Sequence, residues 1–84
     1  MDQIVETLVY PILKDQGYHI RKAHNREAWY IVNQTSGDIY VLLHNGIEWH
    51  LNDASGNLSE REELEKQIRD IISTAETGGD NHEG

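Results

Sequence analysis

The sequence predicts an α+β domain: a four-stranded antiparallel β-meander with N- and C-terminal helices packed on one face, in the order αββββα. Three observations predict this fold: apolar residues at helical spacing near both ends, four short strand-like runs between them, and a turn signal after each run. A chain of 84 residues suits one such domain. We expect residues 1–75 to form the domain and residues 76–84, ETGGDNHEG, to be a disordered acidic, Gly-rich tail.

The two helices are marked by apolar positions that recur every three or four residues. Residues 2–15 show this spacing, and Pro11 is expected to kink or divide the helix because proline has no backbone N–H. Residues 60–75 form the second helix, with Ser59 as the expected N-cap and Glu62 completing a capping box.

The four strands are predicted over residues 18–23, 28–33, 39–44 and 47–51. Asn45-Gly46 is the strongest turn signal, because both positions of a two-residue hairpin turn need a positive φ. Such a turn would pair His44 with Ile47 and Leu42 with Trp49. Turns at Ser36-Gly37 and Asn25-Arg26 set the other two registers, and directly paired residues share a face of the sheet.

This pairing predicts that one face of the sheet is the core and that the other is unusually apolar. The core face carries Tyr18, Ile20, Trp29, Ile31, Tyr40, Leu42, Ile47, Trp49 and Leu51. The second face should be polar in a half-solvated sheet, yet it carries Tyr30, Val32, Ile39, Val41 and Leu43, ringed by His19, Arg21, Glu48 and His50. Three explanations stay open for it: a helix that crosses over it, a second copy packed sheet to sheet, or a different protein docked there.

The formal charge of −8 is concentrated in the last part of the chain. Residues 1–51 hold six acids and four Lys or Arg, a net of −2, whereas residues 52–84 hold nine acids and three Lys or Arg, a net of −6. This charge repels phosphate, so we expect no direct nucleic-acid binding. It suits solubility or a basic protein partner. Residues 19–26, HIRKAHNR, form a basic island. Its Lys22 and Arg26 either snorkel or pair with the acidic helix, or they form an anion-contacting edge.

Residue types and spacing argue against catalysis and metal binding. The chain has no cysteine, which excludes a disulfide framework, a thiolate zinc site and a cysteine nucleophile. His44 and His50 are predicted on opposite faces, so they cannot share one metal ion. No phosphate-binding glycine motif and no nucleophile elbow is present. We therefore expect no enzyme activity, no catalytic residue, no metal and no cofactor. No apolar run is long enough to span a membrane, and a cytoplasmic location is expected.

These observations predict a non-catalytic protein-binding module that regulates or inhibits a protein partner. One concrete form is an acidic inhibitor that imitates nucleic acid toward a DNA-handling or defence protein. The sheet-face residues expected to bind are Tyr30, Val32, Ile39, Val41, Leu43 and His50, and those of the acidic helix are Glu60, Glu62, Glu63 and Glu65. The alternative is a self-associating structural protein that forms a homodimer through the apolar sheet face.

Overall fold

The computed structural model describes residues 4–81, and the side chains of residues 4–76. The N-terminal segment is π-helical over Val5–Val9 and α-helical over Tyr10–Asp15 (α1). Four strands follow, and the chain ends in the long helix α2, Leu58–Asn81. The strands are β1 Tyr18–Lys22, β2 Ala28–Asn33, β3 Ile39–His44 and β4 Trp49–Asp53. They form one antiparallel sheet in the order β1-β2-β3-β4, which confirms the predicted αββββα meander.

The N-terminal segment changes helix type beside Pro11, so two short helices abut there, which is one of the two arrangements expected. Tyr10 donates its backbone N–H to the carbonyl of Val5, so the turn before the proline is π-helical and wider than an α-turn. Pro11 then lies in the first turn of α1. A proline is tolerated in the first turn of an α-helix because its fixed φ suits helical geometry. The change from π to α geometry accommodates the residue that was expected to kink or divide the helix.

Helix α2 begins earlier than the sequence predicted. Asn57 Oδ1 accepts the backbone N–H of Glu60 at 3.0 Å, which is the N-cap bond. The prediction of Ser59 as the cap was therefore wrong, because an Asn two residues earlier satisfies the same kind of orphan donor. The backbone of α2 stays helical to Asn81, past the predicted helix end at residue 75, so the boundary expected there does not coincide with the end of the helix. Residues 82–84 of the expected tail lie outside the described residues.

The strand registers follow the prediction for one pair and differ by two residues for the others. Ile20 lies opposite Ile31 as predicted, whereas Leu42 lies opposite Trp29 and Leu51. In the last hairpin, Asn45 donates its N–H to the carbonyl of Glu48 at 3.1 Å, so the turn is centred one residue later than Asn45-Gly46. Because a displacement of two residues is even, every strand residue keeps its predicted face.

The core lies between the helices and one face of the sheet, which we call the inner face. Its buried residues are Ile20, Trp29, Ile31, Tyr40, Leu42, Trp49 and Leu51 from the sheet, with Val5, Val9, Leu13, Leu64, Ile68 and Ile72 from the helices. The predicted core residue Ile47 is an exception: it is 87% exposed, because the displaced turn places it at the hairpin tip. Within the described residues, neither helix combines the length and apolarity needed to cross a bilayer.

Candidate interaction site

The face of the sheet opposite the helices, the outer face, is made by apolar side chains of the two central strands. Tyr30 lies opposite Val41, and Val32 opposite Ile39, in the register of β2 and β3. Leu43 in turn lies opposite His50 of β4. The structure thus brings the six predicted sheet-face residues onto one surface: Tyr30, Val32, Ile39, Val41, Leu43 and His50.

The outer face is open. Tyr30 is 40% exposed, and its apolar neighbours on β2 and β3 are half-buried. The helices direct their buried side chains into the core on the inner face. The helices contact this face at its two margins, where the Tyr10 hydroxyl lies 2.9 Å from His19 Nδ1 and the Glu65 carboxylate lies 3.1 Å from His50 Nδ1. A helix that crosses over this face is therefore not the explanation for its apolar character in the part of the chain that the structure describes.

A cleft of about 620 Å³ opens on this face beside Tyr30. The lining combines an apolar part from β2 and β3 with a basic part from the end of β1: Arg21, Lys22, His24, Tyr30, Val32, Ile39, Ala54 and Ser55. The segment after β4 is fastened there, because Ser55 Oγ accepts the Ile39 N–H at 3.1 Å and the Ile39 carbonyl accepts the Ser55 N–H at 3.1 Å. The cleft is therefore bounded by ordered backbone at this end.

The basic island, residues 19–26, keeps two exposed arginines. Lys22 Nζ lies 3.6 Å from the Glu27 carboxylate and 5.4 Å from the centre of the Trp29 ring. Arg21 and Arg26 are exposed, and neither forms an ion pair with another described residue. Arg26 therefore does not pair with the C-terminal helix within the described residues, whereas Lys22 lies along the Trp29 ring, as expected for a side chain that snorkels.

The four acids predicted as binding residues on α2 differ in their surroundings. Glu62 and Glu63 are exposed to solvent. Glu60 and Glu65 turn toward the sheet, and the Glu65 side chain is 16% exposed. Glu62 and Glu63 belong to a helix that lies along the edge strand β4, whereas Tyr30 is on the central strand β2. The two predicted binding surfaces meet at the β4 edge, where His50 Nδ1 lies 3.1 Å from the Glu65 carboxylate.

Glu60 is the centre of a hydrogen-bonded cluster that fastens the start of α2 to the sheet. Its carboxylate accepts bonds from the hydroxyls of Tyr18 and Tyr40 and from Asn33 Nδ2, the last at 2.7 Å. Burial raises the pKa of Glu60, but the three donors outweigh burial and hold that pKa below its ordinary value. Burial and the bond to Glu60 raise the pKa of Tyr40 to about 12, and they raise the pKa of Tyr18 as well.

Sequence reasoning missed this cluster, although a signal for it was present. Tyr18 and Tyr40 were both predicted on the core face, and a buried phenol needs a hydrogen-bond partner. The first turn of the helix expected to cover that face offers Glu60 as the acceptor.

Side chains of α2 also occupy the free edge of β4. Glu65 accepts the Leu51 N–H at 3.0 Å, and Arg61 donates to the Leu51 carbonyl at 3.1 Å. Arg69 Nε donates to the Trp49 carbonyl at 2.8 Å. The three side chains are spaced four residues apart and so project from one side of the helix. They satisfy the backbone groups that an edge strand leaves unpaired, which closes β4 to a further strand.

His44 and His50 contact different residues. The His44 ring packs edge-on against Trp49, with ring centres 5.1 Å apart, and His50 Nδ1 lies 3.1 Å from the Glu65 carboxylate. Among the described residues there is no group of three His, Cys, Asp or Glu side chains that could hold a metal ion. His82 lies outside those residues.

Comparison with known proteins adds no relative to this description. No protein-family model matches the chain, and neither a curated protein nor a solved structure matches it.

Proposed function

We propose that this chain is a non-catalytic protein-binding module, a small regulator or inhibitor that docks a protein partner on its outer face. The observation that supports the proposal is the apolar surface of β2 and β3, which neither described helix covers. A sheet face exposed to water normally carries polar residues at alternate positions. Contiguous apolar surface on a small domain is typical of an interaction site.

Tyr30 is the residue we expect to anchor the partner. It lies on a central strand, opposite Arg21 of β1 on one side and Val41 of β3 on the other. Aromatic side chains near the middle of an interface contribute much of the binding energy when a partner removes them from water. At 40% exposure, Tyr30 still has surface for a partner to bury.

The acidic helix is the less favoured surface. Only Glu62 and Glu63 of its four predicted binding acids are exposed, because Glu60 and Glu65 accept hydrogen bonds within the protein. Lys66 adds a positive charge to the exposed side of the same helix. A nucleic-acid mimic needs a dense array of negative charge, since duplex DNA carries about one charge per 1.7 Å. We therefore favour the outer face over a nucleic-acid-imitating mode.

A homodimer through the same face is the second candidate, and the size of the face bears on it. Four strands about 4.8 Å apart and about six residues long cover a projected area of roughly 400 Å². A stable interface of standard size buries about 800 Å² on each partner. Two copies packed sheet to sheet would therefore form a weak dimer, whereas a different partner can extend beyond the sheet.

The proposal is tested by photo-crosslinking in cells that produce the protein naturally. p-Benzoylphenylalanine placed at Tyr30 should form an adduct with one other protein, identified by mass spectrometry. The matched control is the same residue at Lys66, which is exposed on α2. The adduct should disappear when Val41→Asp is added and should be reproduced with the purified partner. An adduct of twice the chain mass would favour the homodimer, and equal labelling at both positions would contradict both candidates.

A further inference from the structure

We infer that the segment bound on the outer face carries carboxylates beside its apolar anchor, and that Arg21 and Arg26 bind those carboxylates. This inference rests on the proposed function and specifies the chemistry of the partner. It replaces the basic partner expected from net charge with an acidic, apolar one at this surface.

Arg21 and Arg26 differ from the other described arginines because neither has an acidic partner among the described residues. The chain holds 15 acids and seven Lys or Arg, so an arginine has many acids available as partners. Arg61 and Arg69 bond both Glu65 and backbone carbonyls of β4. Arg21 and Arg26 are exposed and have no such partner among the described residues.

The two arginines belong to the part of the chain around the end of β1, beside the apolar outer face. Arg21 is opposite Tyr30 in the sheet and lines the same cleft as Val32 and Ile39. Arg26 lies in the turn that connects β1 to β2, two residues after His24, which lines the cleft. The exposed acids of α2 belong to a helix that lies along β4, whereas Arg21 is on β1, at the other edge of the sheet. Screening over about 8 Å in physiological salt weakens their effect on the outer face.

The apolar surface and the exposed arginines together indicate which kind of protein segment binds the outer face. An apolar floor favours an aliphatic or aromatic side chain, and a guanidinium binds a carboxylate through two parallel hydrogen bonds. A basic segment would meet unpaired positive charge at this rim. A protein segment with acids flanking one or two large apolar residues satisfies both parts.

A second copy of the chain fits this surface less well. The outward positions of the four strands include no Asp or Glu: they are His19, Arg21, Ala28, Tyr30, Val32, Ile39, Val41, Leu43, His50 and Asn52. Two outer faces packed together would therefore bury Arg21 without a carboxylate from the opposite strands. Burial of an unpaired charge opposes association, which favours a different protein over self-association.

The test is selection of 12-residue peptides from a random phage library on the immobilised full chain. We expect the selected peptides to be net negative and to contain an aromatic or large aliphatic residue. The variant Arg21→Glu/Arg26→Glu should select Lys- and Arg-containing peptides instead. The control Lys14→Glu/Lys66→Glu changes the net charge equally on exposed helix positions and should select the same peptides as the wild type. Circular dichroism should show that both double variants, and the Tyr30→Asp variant used below, are folded, since the replaced side chains are exposed.

The affinity of the best synthetic peptide gives the second readout. The Arg21→Glu/Arg26→Glu variant should bind it roughly fivefold to tenfold more weakly, as expected for two partly exposed charge contacts that become repulsive. Raising the salt concentration from 50 to 200 mM should weaken wild-type binding in the same direction. The Lys14→Glu/Lys66→Glu control should stay within a factor of two.

The outcomes separate this inference from the proposed function. Selected peptides that are neutral or basic, yet lost with Tyr30→Asp, would overturn the acidic partner and leave the outer face as a binding surface. Selection that is the same for wild type and Tyr30→Asp would overturn both. Acidic peptides that bind the Arg21→Glu/Arg26→Glu variant equally well would place the charge contact elsewhere and overturn the role of the two arginines.

Discussion

The hydroxyl of Tyr40 on β3 donates a hydrogen bond to the carboxylate of Glu60 in the first turn of α2. The same hydroxyl accepts the N–H of Asn57, the N-cap residue, at 3.0 Å. One side chain of the sheet thus satisfies both the end of the helix and a partly buried acid. Tyr18 and Asn33 complete the set from β1 and β2, so the start of α2 is tied to three strands at once.

Removing the Glu60 carboxylate should destabilise the protein. Glu60→Ala leaves three donors without their acceptor, and we expect a loss of about 2 to 4 kcal/mol from the free energy of unfolding. Urea denaturation followed by tryptophan fluorescence measures it. Glu63→Ala, on the exposed side of the same helix, is the control and should change the free energy by less than about 0.5 kcal/mol. Equal effects of the two substitutions would contradict a structural role for the cluster.

The same cluster predicts a loss of stability in acid. The pKa of Glu60 is lower in the folded protein than its ordinary value, so the folded state binds this proton more weakly than the unfolded chain does. The stabilisation is complete above the unfolded pKa, about 4.3, and is lost as the pH falls through the folded pKa. The difference in unfolding free energy between wild type and Glu60→Gln should therefore shrink from pH 6 to pH 3. A difference that stays constant would show that Glu60 does not titrate in this way.

The raised pKa values of Tyr18 and Tyr40 predict a second loss of stability, this time as the pH rises. Tyr40 has a pKa raised from 10.0 to about 12 because it is buried and bonded to Glu60. A raised pKa gives stability that is complete below the unfolded pKa and is lost as the pH rises through the folded one. We expect stability to fall between about pH 10 and pH 12. Phenolate absorbance at 295 nm should show fewer tyrosines titrating near pH 10 in the wild type than in 6 M urea, and Tyr40→Phe should reduce this difference.

Much of the fold could be predicted because the relevant signals are local. The strand runs and the face of each strand residue follow from alternation, which survives an error of two residues in register. The position of the last turn could not be predicted in this way. Asn45 Oδ1 accepts the N–H groups of Ile47 and Glu48 at 2.9 Å, and this shifts the turn by one residue. An Asn-Gly pair indicates a hairpin, but a side-chain bond decides which residues occupy its centre.

The candidate site could be predicted only in part, for a different physical reason. The residues of the outer face follow from strand parity, so Tyr30 and Val41 were identified without the structure. The surroundings of Glu60 and Glu65 depend on how α2 is rotated and placed over the sheet, which no local pattern specifies. The same placement determines that neither Arg21 nor Arg26 forms an ion pair with a described acid of α2.

The edge of β4 provides a prediction about local stability. Glu65→Ala removes the acceptor of the Leu51 N–H and the partner of two arginines. Amide hydrogen exchange at Leu51, measured by NMR, should speed up by about tenfold or more, since one lost hydrogen bond to a charged group is worth about 1.5 to 3 kcal/mol. Glu62→Ala is the matched control on the same helix. Unchanged exchange at Leu51 would mean that the helix side chains do not protect this edge.

The oligomeric state separates the two uses of the outer face. Because the face alone offers only about half the area of a standard interface and its strands carry no outward acid to pair with Arg21, we expect a monomer at micromolar concentration. Light scattering coupled to size-exclusion chromatography, over a concentration series, gives the molar mass against 9.7 kDa for one chain. Leu43→Asp should leave this mass unchanged, and so should Ile12→Asp on the exposed side of α1. A stable wild-type dimer that Leu43→Asp alone dissociates would favour the homodimer and leave no free outer face for an acidic partner.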